Sequence, residues 1–123
     1  MKLITLIISA LFIGLSANSH AELLSSSEWQ PDVLNGFEDK EFVFSDDYDG
    51  AVTAHLVRKL ADENTNKAVL YVHGSVDYFF QEELADQFIA QGFNFYAIDL
   101  RKHGRSLLPN QHPNFMFSVE EFY

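Results

Sequence analysis

The sequence predicts an α/β fold: an antiparallel hairpin that leads into a β-α-β unit of a mostly parallel sheet. Three observations carry that expectation. In AVTAHLVRKL (51–60), Val52, Ala54 and Leu56 alternate with Thr53 and His55, the period of a half-buried strand. Two runs, AVLYV (68–72) and FNFYAID (93–99), are short and apolar, as strands buried on both faces of a parallel sheet are. Between them Phe80, Leu84 and Phe88 recur at i, i+4 and i+8, with Ala85 and Ile89 alongside, which is one face of a helix.

Residues 1–21 read as a secretory signal peptide. Lys2 supplies the positive start, LITLIISALFIGLSA (3–17) the apolar stretch, and SHA (19–21) the small residues before cleavage after Ala21. A membrane anchor fits less well. A span needs about 20 apolar residues, and this run is shorter and has no basic residue on its far side. Export to the periplasm or the exterior is therefore expected, with no membrane span after cleavage.

Residues 22–40 read as an irregular segment, because SSSEWQPD (25–32) has the composition of a loop. Trp29 and Phe37 are expected to pack against the elements C-terminal to them. A partial domain is expected over 41–123. EFVF (41–44) pairs with 51–60 around SDDYDG, where Asp49-Gly50 is the turn signal. Glu82 and Glu83 suit the first turn of the helix and Gly92 the position just past its end. Ser75 or Asp77 is expected to cap that helix. Ser118 and Glu121 have the spacing of a capping box, so a further helix starts at SVEEFY. The sequence stops within that start, which reads as an incomplete chain.

Composition narrows the function. A net charge of −10 over 123 residues argues against nucleic acid and anionic membrane surfaces, which favour clustered Lys and Arg. Asp46, Asp47 and Asp49 read as a solvated surface, with a calcium site as the alternative. There is no cysteine, hence no disulfide and no thiol nucleophile. The histidines show no metal-binding spacing. His55 reads as a polar-face strand residue and His112 as a loop residue. No metal and no cofactor is expected.

Two stretches carry the chemistry. In VHGSVD (72–77) a buried strand runs into His73-Gly74 at the carboxyl end of the sheet, where α/β folds bind ligands. A free Ser75 N–H there suits a developing oxyanion. A tight turn with no catalytic role explains the same residues equally well. In DLRKHGRS (99–106), Asp99 ends the second buried strand, Gly104 permits a tight turn, and Arg105 and Ser106 are placed to bond back to neighbouring loops. Asp99, His103 and Ser106 are not read as a catalytic triad. Triad members come from separate elements, and nothing exposes Ser106 as a nucleophile. Phe115 and Phe117 read as core or lid packing, with an acyl pocket as the lesser alternative.

YVHGSVDYF (71–79), GFNFYAIDLRKHGRS (92–106) and SVEEFY together resemble the N-terminal part of an α/β-hydrolase, in the serine aminopeptidase and monoacylglycerol-lipase (lysophospholipase)-like branch. The resemblance runs from about Phe42 to the end. It implies that the Ser75 backbone N–H is an oxyanion donor supported by His73 and Gly74. Asp99, His103, Gly104 and Ser106 would form a structural loop. Ser75 departs from the bulky apolar residue that the family often has there. The family's nucleophile sits in a G-x-S-x-G elbow, and its acid and base come later. This sequence has no such elbow, so no catalytic residue is assigned in it.

The residues leave three readings open. One is the N-terminal portion of a secreted serine hydrolase for an ester or amide, lipid esters first, inactive by itself. A second is a non-catalytic secreted binding module. A third is one half of a split hydrolase completed by a C-terminal half. In the family's sheet order, strand 68–72 lies between 93–99 and the strand that leads to the elbow. Its far edge is therefore expected to stand open.

Overall fold

A computed structural model describes residues 21–122. The proposed signal segment lies outside the described residues, apart from Ala21. None of the described helices is long and apolar enough to cross a membrane.

The fold is α/β. Strands β1 (Leu23–Ser26), β2 (Gln30–Pro31), β3 (Glu38–Asp47), β4 (Gly50–Lys59), β5 (Ala68–Val72) and β6 (Asn94–Asp99) form one mixed sheet, with helix α1 (Glu82–Ala90) between β5 and β6. The sheet order is β1-β3-β4-β6-β5, and β2 also pairs with β3. β3 and β4 are antiparallel, β4 and β6 antiparallel, and β5 and β6 parallel, with Ala68 opposite Asn94 and Val72 opposite Ile98. β5 is the edge strand, as the sheet order implied by the resemblance has it.

The segment 22–40 is less irregular than its composition suggests. β1 and β2 lie antiparallel on β3, and the Ser27 hydroxyl accepts the Glu41 N–H at 2.9 Å. Strand pairing, a non-local contact, overrides the loop-like Ser and Pro content. Phe37 enters the core at 3% exposure. Trp29 stacks under the Arg58 guanidinium at 3.9 Å. The hairpin turns at Tyr48-Asp49, one residue earlier than Asp49-Gly50, because Gly50 at φ 92° takes the left-handed position that opens β4.

The core lies on one face of the sheet. Phe37, Val57, Phe79, Ala85, Phe95 and Ala97 are buried together there, with Phe88 and Ile89 of α1 against them. This is the Thr53-His55-Val57 face of β4, opposite the Val52-Ala54-Leu56 set that the alternation singled out. Thr53 is buried beneath the 99–106 loop and His55 is held by Asp39 at 2.9 Å, so the polar face is covered as well, while Val52 on the other face is also buried.

α1 starts later than its periodicity indicates. Phe80 precedes it and is 52% exposed, whereas Phe79 is fully buried. Gln81 is the N-cap residue, with no side-chain cap; neither Ser75 nor Asp77 reaches that position. The C-terminus is as expected. Gly92 at φ 79° follows the helix, the Gly92 N–H bonds Ile89 O at 2.9 Å, and the Phe93 N–H bonds Phe88 O at 3.1 Å. This is a Schellman motif, closed by the Phe88–Phe93 ring contact.

The strand β5 corrects a second expectation. It is not buried on both faces. Leu70 and Val72 are 57% and 56% exposed, on the face opposite α1. Its other face, through Val69 and Tyr71, packs on the core. The SVEEFY segment forms a 3-10 turn over Val119–Phe122, with the Glu121 carboxylate accepting the Ser118 N–H at 3.3 Å.

Candidate functional site

The carboxyl ends of β5 and β6 lie side by side, and their loops meet. β5 delivers His73, which is 7% exposed, followed by the exposed Gly74, Ser75 and Val76. The Leu100 N–H donates to His73 Nε2 at 3.0 Å. That nitrogen is then the acceptor, so the ring hydrogen sits on Nδ1. His73 Nδ1 donates it to Gly74 O at 2.6 Å, and the Asp77 N–H reaches the same oxygen at 3.2 Å.

A peptide bond is planar and trans, so its C=O and N–H point in opposite directions. Holding Gly74 O with His73 therefore aims the Ser75 N–H the other way, to the opposite side of the peptide. Among the described residues no group accepts that N–H. Gly74 has no positive φ, and a Cβ added to it meets nothing within 4 Å. The space beside this peptide is open.

The second loop is built around Asp99, which is fully buried. One carboxylate oxygen accepts the Phe79 N–H at 2.8 Å. The other accepts the Arg105 N–H at 3.0 Å and Arg105 Nη1 at 2.9 Å. Arg105 also donates to Phe79 O and grips Asp32 with two bonds of 2.7 and 2.8 Å. Burial opposes the Arg105 charge, but Asp32 and Asp99 outweigh it and hold the guanidinium more firmly protonated than usual. Burial likewise opposes the charge of Asp32. Arg105 and the Leu34 N–H prevail, and its carboxyl is held below the usual 3.8.

Gly104 is required by this packing. It has φ 46°, and a Cβ there would lie 2.5 Å from both Asp99 Oδ2 and Tyr78 Cβ. Ser106 is fully buried, and its hydroxyl donates to the Asp99 backbone oxygen at 2.7 Å, not to His103. Both His103 nitrogens face backbone carbonyls. Asp99, His103 and Ser106 therefore make no triad in this arrangement.

Asp47 and Asp49 are not a solvated surface. Lys102, 1% exposed and at φ 63°, brings its ammonium 3.0 Å from Asp47 and 3.3 Å from Asp49, over the Tyr48 ring at 3.9 Å. Arg101 pairs with Asp47 and donates to Glu121 O, and His112 pairs with Asp49 at 2.9 Å. Their carboxylates thus face cations of the 101–112 loop. Among the described residues no group of three metal-ligating side chains converges. Phe115 and Phe117, 45% and 74% exposed, stack around Tyr48 at the hairpin tip and not in the core.

An open groove of about 640 Å³ runs beside the first loop, lined in part by Val33, Val76, Tyr78, Phe80, Leu107 and Pro113. Sequence reasoning missed Asp32 and Phe79, whose roles depend on groups 73 and 20 residues away. No local signal marked either.

No family model matches the chain, and no curated protein matches it. Among solved structures, it is similar to acetyl xylan esterase 1 from Thermoanaerobacterium sp., with a TM-score of 0.39 and 20% identity. The match covers 63% of this chain and 25% of the esterase, so the chain spans about a quarter of that protein's length.

Proposed function

We propose that this chain supplies the oxyanion loop and the first half of the sheet of an exported serine hydrolase of the α/β-hydrolase type, in the serine aminopeptidase and monoacylglycerol-lipase-like branch. The observation that carries the proposal is the Gly74–Ser75 peptide. His73 pins its oxygen, and its N–H is turned into open space at the end of a parallel edge strand.

The chemistry is set by that placement. A serine oxygen attacks the carbonyl carbon of an ester or amide, and the carbonyl π electrons move onto oxygen. The Ser75 N–H donates to that oxygen. It is fixed in advance, so no reorganisation is needed as charge develops, and one such donor is worth about 3–4 kcal/mol of barrier. The nucleophile, acid and base come from residues outside this sequence. The free edge of β5 is where the strand leading to the nucleophile pairs. The same edge accepts a strand of a second chain, if the enzyme is split. The apolar groove beside Val76 suits the aliphatic part of a lipid ester.

The test is the intact mass of the native protein from its source, detected through a peptide within residues 68–100, together with ester hydrolysis. A longer protein, or a stable complex with a second chain that carries the serine, is expected. Its kcat on a short-chain nitrophenyl ester should fall about a hundredfold in His73→Ala. The 123-residue chain alone is expected to turn over nothing. A native protein of the short mass, folded, monomeric and without a partner, would overturn the hydrolase reading in favour of a binding module.

A further inference from the structure

The sheet carries a hollow that the proposed mechanism does not use. It has a volume of about 180 Å³ and is walled by Phe44, Val52, Ala54, Ile98, Leu100 and Phe122, on the face opposite α1. It shares no lining residue with the groove beside Val76. The strand pairing explains the hollow. Phe44 stands opposite Val52, and Leu56 opposite Ile98, so large side chains meet on both flanks. Between Val52 and Leu56 on the same face of β4, Ala54 contributes only a methyl group, and the floor dips there.

Polar groups enter the wall at one place. Arg101, 8% exposed, lines the hollow together with Glu121. Arg101 Nη1 donates to Glu121 O at 2.9 Å. Its Nη2 pairs with Asp47 and lies 3.9 Å from the Glu121 carboxylate. The positive charge is thus answered by two carboxylates. The Nε–H is different: it is buried and has no acceptor among the described residues. Buried donors nearly always find an acceptor. A donor left over on a residue that lines an apolar hollow marks a place for an accepting atom of a bound molecule.

We propose that this hollow is a second binding site, for a small neutral molecule with an apolar body and one hydrogen-bond-accepting oxygen, a phenyl ketone being the simplest case. The volume sets the size, since an apolar cavity of about 150 Å³ takes up a benzene ring. The Arg101 Nε–H sets the polarity. A hydrocarbon leaves that donor unpaired, whereas a carbonyl oxygen accepts from it. The carboxylates set the charge. An anion would meet Glu121 in the wall and Asp47 on the same guanidinium, so a neutral acceptor is preferred to a carboxylate. The wall contains no hydroxyl or imidazole group, so the molecule is held there and not converted. The site goes beyond the hydrolase reading and does not depend on it.

The experiment is a nuclear magnetic resonance titration of the uniformly ¹³C,¹⁵N-labelled 123-residue chain with acetophenone, ethylbenzene and benzoate, probes of similar size. Acetophenone is expected to give saturable shifts at the Ala54 and Ile98 methyls and at the Arg101 Nε–H, and benzoate to bind more weakly. Arg101→Lys keeps a cation for Asp47 and removes the Nε–H. It should weaken acetophenone about tenfold and leave ethylbenzene unchanged. Comparing the two probes across the two proteins cancels the different cost of dehydrating each probe. Ala54→Leu, which fills the hollow, should abolish binding of both. The absence of saturable acetophenone binding would overturn the inference. So would equal effects of Arg101→Lys on both probes, binding that survives Ala54→Leu, or shifts centred on Val76 and Phe80. None of these outcomes bears on the hydrolase reading, which intact mass and kcat test separately.

Discussion

Strands β5 and β6 are both apolar runs, and the structure covers them to different extents. Both read as strands buried on two faces. β6 lies between β4 and β5; Phe95, Ala97 and Asp99 on its α1 face are fully buried, and Asn94, Tyr96 and Ile98 on its other face are half-buried. β5 has β6 on one side only, and Leu70 and Val72 stay more than half exposed. Local sequence states a demand for cover. The order of strands and layers decides whether that demand is met. Under the proposed function, the unmet demand of β5 marks where the rest of the hydrolase joins.

The contrast between the two strands is tested most severely in the core. Phe95→Ala should cost about 4 kcal/mol of unfolding free energy in urea, since it empties a fully buried aromatic site. Leu70→Ala should cost under about 1 kcal/mol. Equal losses would mean that the two strands are equally buried, against the fold described. Asp99→Ala should cost about 3–4 kcal/mol. It leaves the Phe79 N–H without its acceptor and strips Arg105 of one of its two carboxylates. Gly104→Ala should come next at about 2–3 kcal/mol, because the added Cβ collides with Asp99 and Tyr78 at a left-handed φ.

A smaller effect separates charge from packing. The Asp32 carboxyl is depressed in the folded chain, so its stabilisation is complete above the ordinary value of 3.8 and is lost as pH falls through the folded value. Asp32→Asn should lower stability by about 1–2 kcal/mol at neutral pH. It should also flatten part of the acid limb of a stability-versus-pH curve, leaving the share of Asp47, which is shifted the same way. The smallest change in stability is expected at the edge. Leu70→Lys should leave unfolding within about 0.5 kcal/mol of the parent. It should reduce self-association in sedimentation, because a charge on an open edge strand opposes strand pairing. An unchanged association would place the sticky surface elsewhere, the exposed Val33, Val76 and Phe80 being the next to test.

Much of the scaffold was legible. The β3–β4 hairpin, the parallel β5–β6 pair, α1 and its Gly92 terminus all came from periodicity and turn residues, which are local signals. The site was legible only as a pair of loops. His73-Gly74-Ser75 and 99–106 could be named, but not the hydrogen bonds between them. Asp32 sat in a stretch read as irregular, yet its carboxylate grips Arg105 with two bonds. Phe80 had the right helical spacing, yet Phe79 fills the core, because Asp99 captures the Phe79 N–H and turns the loop by one residue. Asp47 and Asp49 looked like a solvated surface because their partners, Lys102 and His112, lie 55 and 63 residues away.

The sequence by itself determined which segments extend, which one coils, and where the chain turns. Those outcomes depend on side-chain periodicity and on backbone freedom within a few residues. Only the tertiary structure decided which sheet face became the core and which apolar strand stayed uncovered. It alone decided which carbonyls His73 and His103 would hold. Each of these is a contact between segments far apart in the chain, and its energy exists only once the sheet has brought the partners together.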